Sequence, residues 1–274
     1  MNSVLALARP DILELQHYQH AKWDPSLERM HANEMPWRAQ GDNTQAGLNR
    51  YPEPQPHALV ERMARLYAVP AANVLVGRGS DEAIDLLVRA FCRAGQDHVV
   101  ITPPTFGFYK VAARIQGAGF IEAPLRGDGF ALDLPTVLEA GRRAKIVFLC
   151  SPNNPTGNLL DERAMLSICS ALASHALVCV DEAYIEFSNR ASLTSRLGEL
   201  PNLVVLRTLS KAYALAGARC GTLIAGEEIV DLLRRIIPPY AIPSSTVEEV
   251  LRLTEAPQRA ISAERIRTIL AERE

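Results

Sequence analysis

Short apolar, β-branched runs alternate with amphipathic segments along most of this chain. "NVLV" at 73–76 precedes "SDEAIDLLVRAFC" at 80–92, where Ile84, Leu87, Val88 and Phe91 recur at helical spacing. "HVVIT" at 98–102 precedes "FYKVAARIQ", and "KIVFLC" at 145–150 precedes a loop and a helix from Asp161 to about Ala173. "ALVCV" at 176–180, "LVVL" at 203–206 and "CGTLIA" at 220–225 follow, the last with the helical pattern "EEIVDLLRRII" behind it. Strands that are apolar throughout, rather than alternating, are buried on both faces. The pattern therefore predicts an α/β fold with a largely parallel sheet covered by helices on each side. The first 50 residues are polar, dotted with proline and weakly periodic, which predicts an arm or lobe outside the main sheet.

The composition changes this picture little. The chain is 48% hydrophobic and 22% charged with a formal net charge of −2, which gives no electrostatic reason to expect nucleic acid or an anionic membrane as partner. No apolar run reaches the length of a membrane span. The opening "MNSVLALARPDILEL" lacks a basic segment ahead of its apolar one, so no signal peptide is expected and the cytoplasm is the expected location. The five cysteines are odd in number, irregularly spaced and mostly set in apolar runs, as suits buried free thiols in a reducing compartment. His17 and His20 share a helical spacing but have no third ligand beside them, so they read as an ordinary polar face and no metal site is expected.

Candidate chemistry lies where strands end. "GRGSDE", "TPPTFGFY", "SPNNPTG", "DEAY" and "TLSK" each follow one of the apolar runs. In an open α/β sheet the carboxyl edge is where ligands bind. "GRGSDE" opens a helix, so the N–H groups of Ser80 and Asp81 can face an anion at its N-terminus. It lacks the Gly-Lys-Ser/Thr ending of a nucleoside triphosphate loop.

Lysine is scarce: Lys22 lies in the polar arm, Lys110 in a helix, Lys145 at a strand start, and Lys211 alone at the ligand edge. A desolvated lysine among small residues and hydroxyls is a competent amine nucleophile. Ser210 and Arg219 would grip a phosphate, and Asp181 at the end of an apolar strand would balance a buried positive charge. A phosphorylated aldehyde with a protonated ring nitrogen, pyridoxal 5′-phosphate, needs this set. Taken singly, each residue has an ordinary explanation: a turn cap for Asp181, turn chemistry for Asn154 and Pro155, core packing for Tyr184 and Phe106. Five clusters converging on one sheet edge are harder to explain in that way.

These segments resemble the fold-type I, aspartate-aminotransferase-like enzymes that use pyridoxal phosphate. "SPNNPTG" and the Ser-Lys motif are shared widely in that family, whereas "LNRYPEPQP" 48–56, "VDEAYIEF" 180–187 and "LRTLSKAYALAG" 206–217 resemble its histidinol-phosphate aminotransferase group more narrowly. The resemblance runs from about residue 48 to 240. It implies a large cofactor-binding domain over 48–240, with 1–47 as arm and part of a small domain, and 241–274 as the start of that small domain, incomplete here. The activity implied is exchange of the amino group of L-histidinol phosphate with 2-oxoglutarate. The alternatives are a related enzyme acting on aromatic amino acids or an amino-acid phosphate, or an inactive cofactor-binding dimer.

Residue by residue, the resemblance implies that Lys211 bonds the cofactor and then shuttles the substrate Cα proton. Asp181 pairs with the ring nitrogen, and Asn154 and Tyr184 donate to the 3′ oxygen. Ser80, Asp81, Ser210 and Arg219 hold the phosphate. Phe106 stacks on the ring where many relatives have tyrosine. Tyr51 reaches the phosphate of a partner's cofactor, which implies a homodimer. Asn33 and Glu34, in "HANEMPW", resemble the segment lining the substrate side. The final "RAISAERIRTILAERE" carries Ile261, Ile266, Ile269 and Leu270 at helical spacing without a stop signal. Beside relatives that continue into a further lobe the chain looks truncated, its last helix is expected to expose an apolar side, and a protease-stable core is expected to end near residue 240.

Overall fold

The computed structural model of the chain describes residues 4–20 and 26–273; Lys22 lies outside the described residues. Seven strands form one sheet: β1 (Val74–Gly77), β2 (His98–Ile101), β3 (Gly119–Glu122), β4 (Ile146–Cys150), β5 (Leu177–Asp181), β6 (Leu203–Thr208) and β7 (Gly221–Ala225). Their spatial order is β1-β7-β6-β5-β4-β2-β3. The five strands from β6 to β3 pair in parallel, while β7 is antiparallel to both of its neighbours. The helices are α1 (Pro10–Leu13), α2 (His57–Tyr67), α3 (Ser80–Phe91), α4 (Phe108–Gln116), α5 (Leu134–Gly141), α6 (Glu162–Ala171), α7 (Glu227–Arg234), α8 (Ser244–Leu253) and α9 (Ala256–Arg273).

The strands are buried on both sides because their residues alternate between two cores. Ile146, Phe148 and Cys150 of β4, with Leu177 and Cys179 of β5, pack against α3, α4 and α7. Val147, Leu149, Val178 and Val180 pack the other way, against α2, α5 and α6. This period of two decides where the chemistry goes. Asp181 follows Cys179 onto the α3/α4 side, and Glu182 falls on the other.

The expected helices and strands form within a few residues of their predicted bounds. α6 starts just after the expected Asp161, whose carboxylate caps it by accepting the Ala164 N–H at 2.7 Å. The β3 strand, α2 and α5 are additions that the apolar pattern did not single out. Part of the expected arm is not free of the sheet: Val4, Leu7 and Ala8 are buried in the α3/α7 core, and the Arg9 N–H donates to Ala90 O at 2.9 Å. At the other end, α8 is tied down more firmly than a core ending near 240 would allow. Arg62 donates to Leu251 O at 2.6 Å and to Thr254 Oγ1 at 3.0 Å, and Val250 is fully buried. α9 buries no residue completely, and Ile261 and Ile269 stand 50% and 54% exposed, as its uncapped apolar pattern predicts.

Candidate active site

A cavity of about 210 Å³ opens at the carboxyl edge of the sheet, where β1, β5 and β6 end. Ser80, Asp81, Phe106, Asn154, Asp181, Tyr184, Ser210, Lys211 and Arg219 all line it. The sequence drew these from five separate segments, and the topology brings them together. Tyr51, Asn33 and Glu34 do not line it.

One wall is the start of α3. Gly79 is its cap residue, at φ +97°, and no side chain caps the helix. The first-turn N–H groups therefore face the cavity without a side-chain competitor, the arrangement that suits an anion. Gly221, at the start of β7, lies directly behind: a Cβ there would sit 2.4 Å from the Ser80 nitrogen. Arg219 closes the corner from the left-handed region, at φ +50°. Its Nη2 lies 3.1 Å from Asp81 Oδ2 and donates to Arg78 O at 3.4 Å. Arg219 is held over the helix start by these contacts, with its guanidinium half-exposed.

The floor is Asp181, 3% exposed. Its Oδ2 accepts the Tyr109 hydroxyl at 2.7 Å and its Oδ1 accepts the Ala183 N–H at 3.1 Å. Burial pushes its carboxyl above the usual carboxylate range, while the Tyr109 and Ala183 hydrogen bonds oppose that rise. A buried carboxylate in that condition favours a cation placed against it.

The side walls carry the remaining polar groups. Asn154 Nδ2 donates to the Tyr184 hydroxyl at 3.4 Å, so both side chains meet at one point of the rim. The Lys211 Nζ lies 5.5 Å from the Tyr184 ring centroid. Phe106 packs edge-on against Tyr109, with centroids 5.5 Å apart. Behind Asn154, its buried neighbour Asn153 donates to Pro104 O at 2.8 Å and accepts from Thr105 Oγ1 at 3.0 Å. Asn153 thus pins the "SPNNPTG" loop to the "PPTFGFY" loop.

Below the cavity, on the opposite side of the sheet, Glu182 and Arg207 form a second layer. Glu182 accepts from Ser192 Oγ at 2.5 Å and from the Leu193 N–H at 2.8 Å. Arg207 bonds Glu186 at 2.7 Å, approaches Glu182 at 3.6 Å, and lies 4.5 Å over the Tyr67 ring. This cluster ties the β5 and β6 ends together just before Tyr184 and Lys211.

Glu34 is held within its own arm. Its side chain is 2% exposed and engaged within the arm: Arg29 at 2.5 Å, Arg50 at 3.0 Å and the Tyr51 N–H at 2.7 Å. Asn33, at φ +53°, makes the turn that sets Glu34 in place. Tyr51 is 51% exposed and stacks on Tyr240 with centroids 4.6 Å apart.

Sequence reasoning missed Tyr109, Asn153, Gly221 and the Glu182–Arg207 pair. Tyr109 and Asn153 stand inside quoted motifs, yet only the packing separates the residue that touches a ligand from the one beneath it. All five cysteines are buried and free, as expected. Among the described residues no group of histidines, cysteines and carboxylates could hold a metal, and no helix is long and apolar enough to cross a membrane.

The sequence pattern of the family described as aminotransferase class I and II matches residues 25–274. The chain is 46% identical, over its whole length and 77% of the relative, to a histidinol-phosphate aminotransferase of Stenotrophomonas maltophilia. It is 42% identical, over 99% of its length and 76% of the relative, to one of Cronobacter sakazakii. Among solved structures it is similar to a histidinol-phosphate aminotransferase of Sinorhizobium meliloti in complex with pyridoxal-5′-phosphate. The TM-score is 0.72 at 26% identity, over 79% of this chain and 59% of that one. A histidinol-phosphate aminotransferase of Clostridium acetobutylicum shares the fold, with a TM-score of 0.71 at 19% identity, over 80% of this chain and 64% of that one.

Proposed function

This chain belongs to the class I and II aminotransferase family, and from that premise we propose that it exchanges the amino group of L-histidinol phosphate with 2-oxoglutarate. The products are imidazole-acetol phosphate and L-glutamate, and the reaction is a step of histidine biosynthesis. The observation that carries this reading is the convergence of Lys211, Asp181, Ser210 and Arg219 on one cavity, in a chain 46% identical to a histidinol-phosphate aminotransferase.

The residues fit pyridoxal 5′-phosphate. The close backbone approach of Gly221 to the Gly79–Ser80 peptide leaves the helix start open as an anion cradle. The buried Asp181 carboxylate calls for a cationic partner, and a protonated ring nitrogen is one. When bound, the cofactor supplies an electron sink for the charge that develops at the substrate Cα.

The chain's own residues do the rest. The Ser80 and Asp81 N–H groups, the Ser210 hydroxyl and the Arg219 guanidinium bind the phosphate. Asp181 keeps the ring nitrogen protonated, and Asn154 and Tyr184 donate to the 3′ oxygen. Phe106 covers one ring face and excludes water from it. The Lys211 Nζ would hold the cofactor's aldehyde carbon, and once freed by substrate it would act as the base that takes the substrate Cα proton. Tyr51 serves the phosphate of a partner subunit's site in a cytoplasmic homodimer, and Asn33 stands on the substrate side. Glu34 acts through Tyr51, whose backbone it holds. The large cofactor domain spans 48–240, and 241–274 begin the small domain.

The test is a visible spectrum of the chain loaded with pyridoxal phosphate and freed of excess, recorded before and after histidinol phosphate, with Lys211→Ala beside it. The reading expects a band that requires Lys211 and changes on adding substrate. A band that ignores histidinol phosphate but responds to an aromatic amino acid would replace the substrate. Absence of any Lys211-dependent band would overturn the site.

A further inference from the structure

Asp181 is the most deeply buried polar group of the cavity, and its orientation is not set from the cavity side. The groups around it come from five elements. Tyr109 of α4 reaches it from below, Cys150 of β4 and Cys179 of β5 flank it, Asp81 of α3 lies across the cavity, and Lys211 follows β6. The two cysteine thiols are pushed up by burial, Cys150 to about 12, so they stay neutral beside the carboxyl. Among these groups only Tyr109 donates a side-chain hydrogen bond to it.

The tyrosine is itself immobilised. Its ring is fully buried and stacks on Phe148 with centroids 4.7 Å apart and planes 5° from parallel. Phe106, which lines the cavity, packs edge-on against its other side. Burial pushes the Tyr109 phenol far above its ordinary value, and the Asp181 carboxyl adds to this, so the hydroxyl remains a donor over the whole working range. The ring is wedged between two aromatics, with its hydroxyl 2.7 Å from Oδ2 and the Cys150 thiol beside it.

We propose that Tyr109 is the positioning residue of Asp181: its buried hydroxyl fixes the carboxylate plane and favours the ionised form. With Oδ1 held by the Ala183 N–H, the two donors leave the carboxylate a single orientation towards the cavity. A hydrogen bond to the charged form opposes what burial does to it. This inference rests on the proposed aminotransferase reading only for its consequence; the Tyr109–Asp181 coupling stands in the chain without any ligand.

The experiment therefore has two arms. In the first, the side-chain carboxyl carbons of aspartate are labelled with 13C in the cofactor-free chain, and the Asp181 signal is identified as the one lost in Asp181→Asn. Its titration is then compared with that in Tyr109→Phe, which keeps the ring and its stacking on Phe148. A hydrogen bond to a charged group is worth about 1.5–3 kcal/mol, so the midpoint should move up by about one to two pH units. An unmoved midpoint overturns the proposal. In the second arm, the visible band of the cofactor-loaded Tyr109→Phe chain is titrated with pH, and the band of the ring-protonated form should be lost at lower pH than in the parent. Identical pH profiles, with normal cofactor binding, also overturn it. If the parent chain forms no band at all, the aminotransferase reading has failed, and the first arm still decides the coupling. Should Tyr109→Phe fold poorly, Phe148→Leu serves as control: it loosens the packing but keeps the hydroxyl, and should leave the midpoint nearly unchanged.

Discussion

Gly221 and Ser80 meet backbone to backbone: a Cβ on Gly221 would lie 2.4 Å from the Ser80 nitrogen and 2.4 Å from the Gly79 carbonyl carbon. The contact exists because β7 runs antiparallel to β1, with Gly221 opposite Gly77. The antiparallel strand thus presses against the start of α3 and sets where its N–H groups point. Gly221→Ala should push that helix start away at a cost of about 1–3 kcal/mol and weaken cofactor binding disproportionately. Chemical denaturation and equilibrium dialysis read the two effects. Gly217→Ala, where a Cβ meets nothing within 4 Å, is the control and should change neither.

Asp181→Asn should separate stability from function. Burial raises the folded-state carboxyl above its unfolded value near 3.8, so the folded chain holds the proton more tightly. By linkage, Asp181 lowers stability as pH rises through the window between those two values, and the loss persists above it. The neutral isostere removes that loss. The cofactor-free variant should therefore be more stable than the parent at neutral pH, with a flatter pH dependence, and transamination should fall by orders of magnitude. Denaturation curves from acid to neutral pH check the sign; equal stability at every pH would refute the buried-charge account.

The arm should loosen locally on losing one carboxylate. Desolvation works against the charged form of Glu34, but the Tyr51 N–H, Arg50 and Arg29 outweigh it and hold the carboxyl below its usual value. A depressed carboxyl contributes stability above its unfolded value and loses it as pH falls through the folded one. Glu34→Gln should lower the hydrogen-exchange protection factor of the Tyr51 amide, and lowering the pH of the parent should do the same once exchange is referred to the slower intrinsic rate. The sheet amides should be unaffected, because the arm's ion pairs lie outside the two cores.

Limited proteolysis should cut within α9 and spare α8. α9 buries no residue, whereas α8 is fastened through Leu251 and Thr254 to Arg62 and through Thr246 to Ala218. The stable fragment should therefore end after residue 253, not near 240. A fragment lacking α8 would show that those hydrogen bonds do not hold it in solution.

Much of this was legible in the sequence because two independent regularities agree. The apolar runs fix the strands, and the polar clusters behind them fall at one edge of the sheet. The apolar runs of β4, β5 and β6 announce burial on both faces, and Asp181 stands out as the acid that ends the β5 run. Tyr109 was not legible because its motif offers three aromatics, Phe106 ahead of α4 and Phe108 and Tyr109 at its start. Only the stacking on Phe148 decides which lies beneath. The ion pairs of Glu34 were not legible for a related reason. A conspicuous "NE" pair suggests chemistry, but its acid finds Arg29 and Arg50 from its own arm, and no periodicity reports such a pairing. β3 is short and half-buried at the sheet edge, so its pattern is too weak to distinguish from loop.

Tyr51 supplies the sharpest test of a shared site. It does not line its own chain's cavity, it is half-exposed, and yet it is fixed on both sides. Its N–H donates to Glu34, its carbonyl accepts from Arg29 at 3.3 Å, and its ring stacks on Tyr240. A residue held so firmly at a surface is prepared to meet something outside its own chain. If that is a partner's cofactor phosphate, two inactive variants should rescue each other. Lys211→Ala retains a good Tyr51 but no reactive amine; Tyr51→Ala retains the amine but no donor. In a hybrid dimer one site receives Lys211 from one subunit and Tyr51 from the other, while the second site lacks both. Mixing the two variants after partial unfolding and refolding should restore up to about a quarter of the parent activity: half the dimers are hybrids at equal mixing, and each has one complete site. If Tyr51 serves its own chain, every site in the mixture lacks one of the two groups, and activity stays at the level of the separate variants.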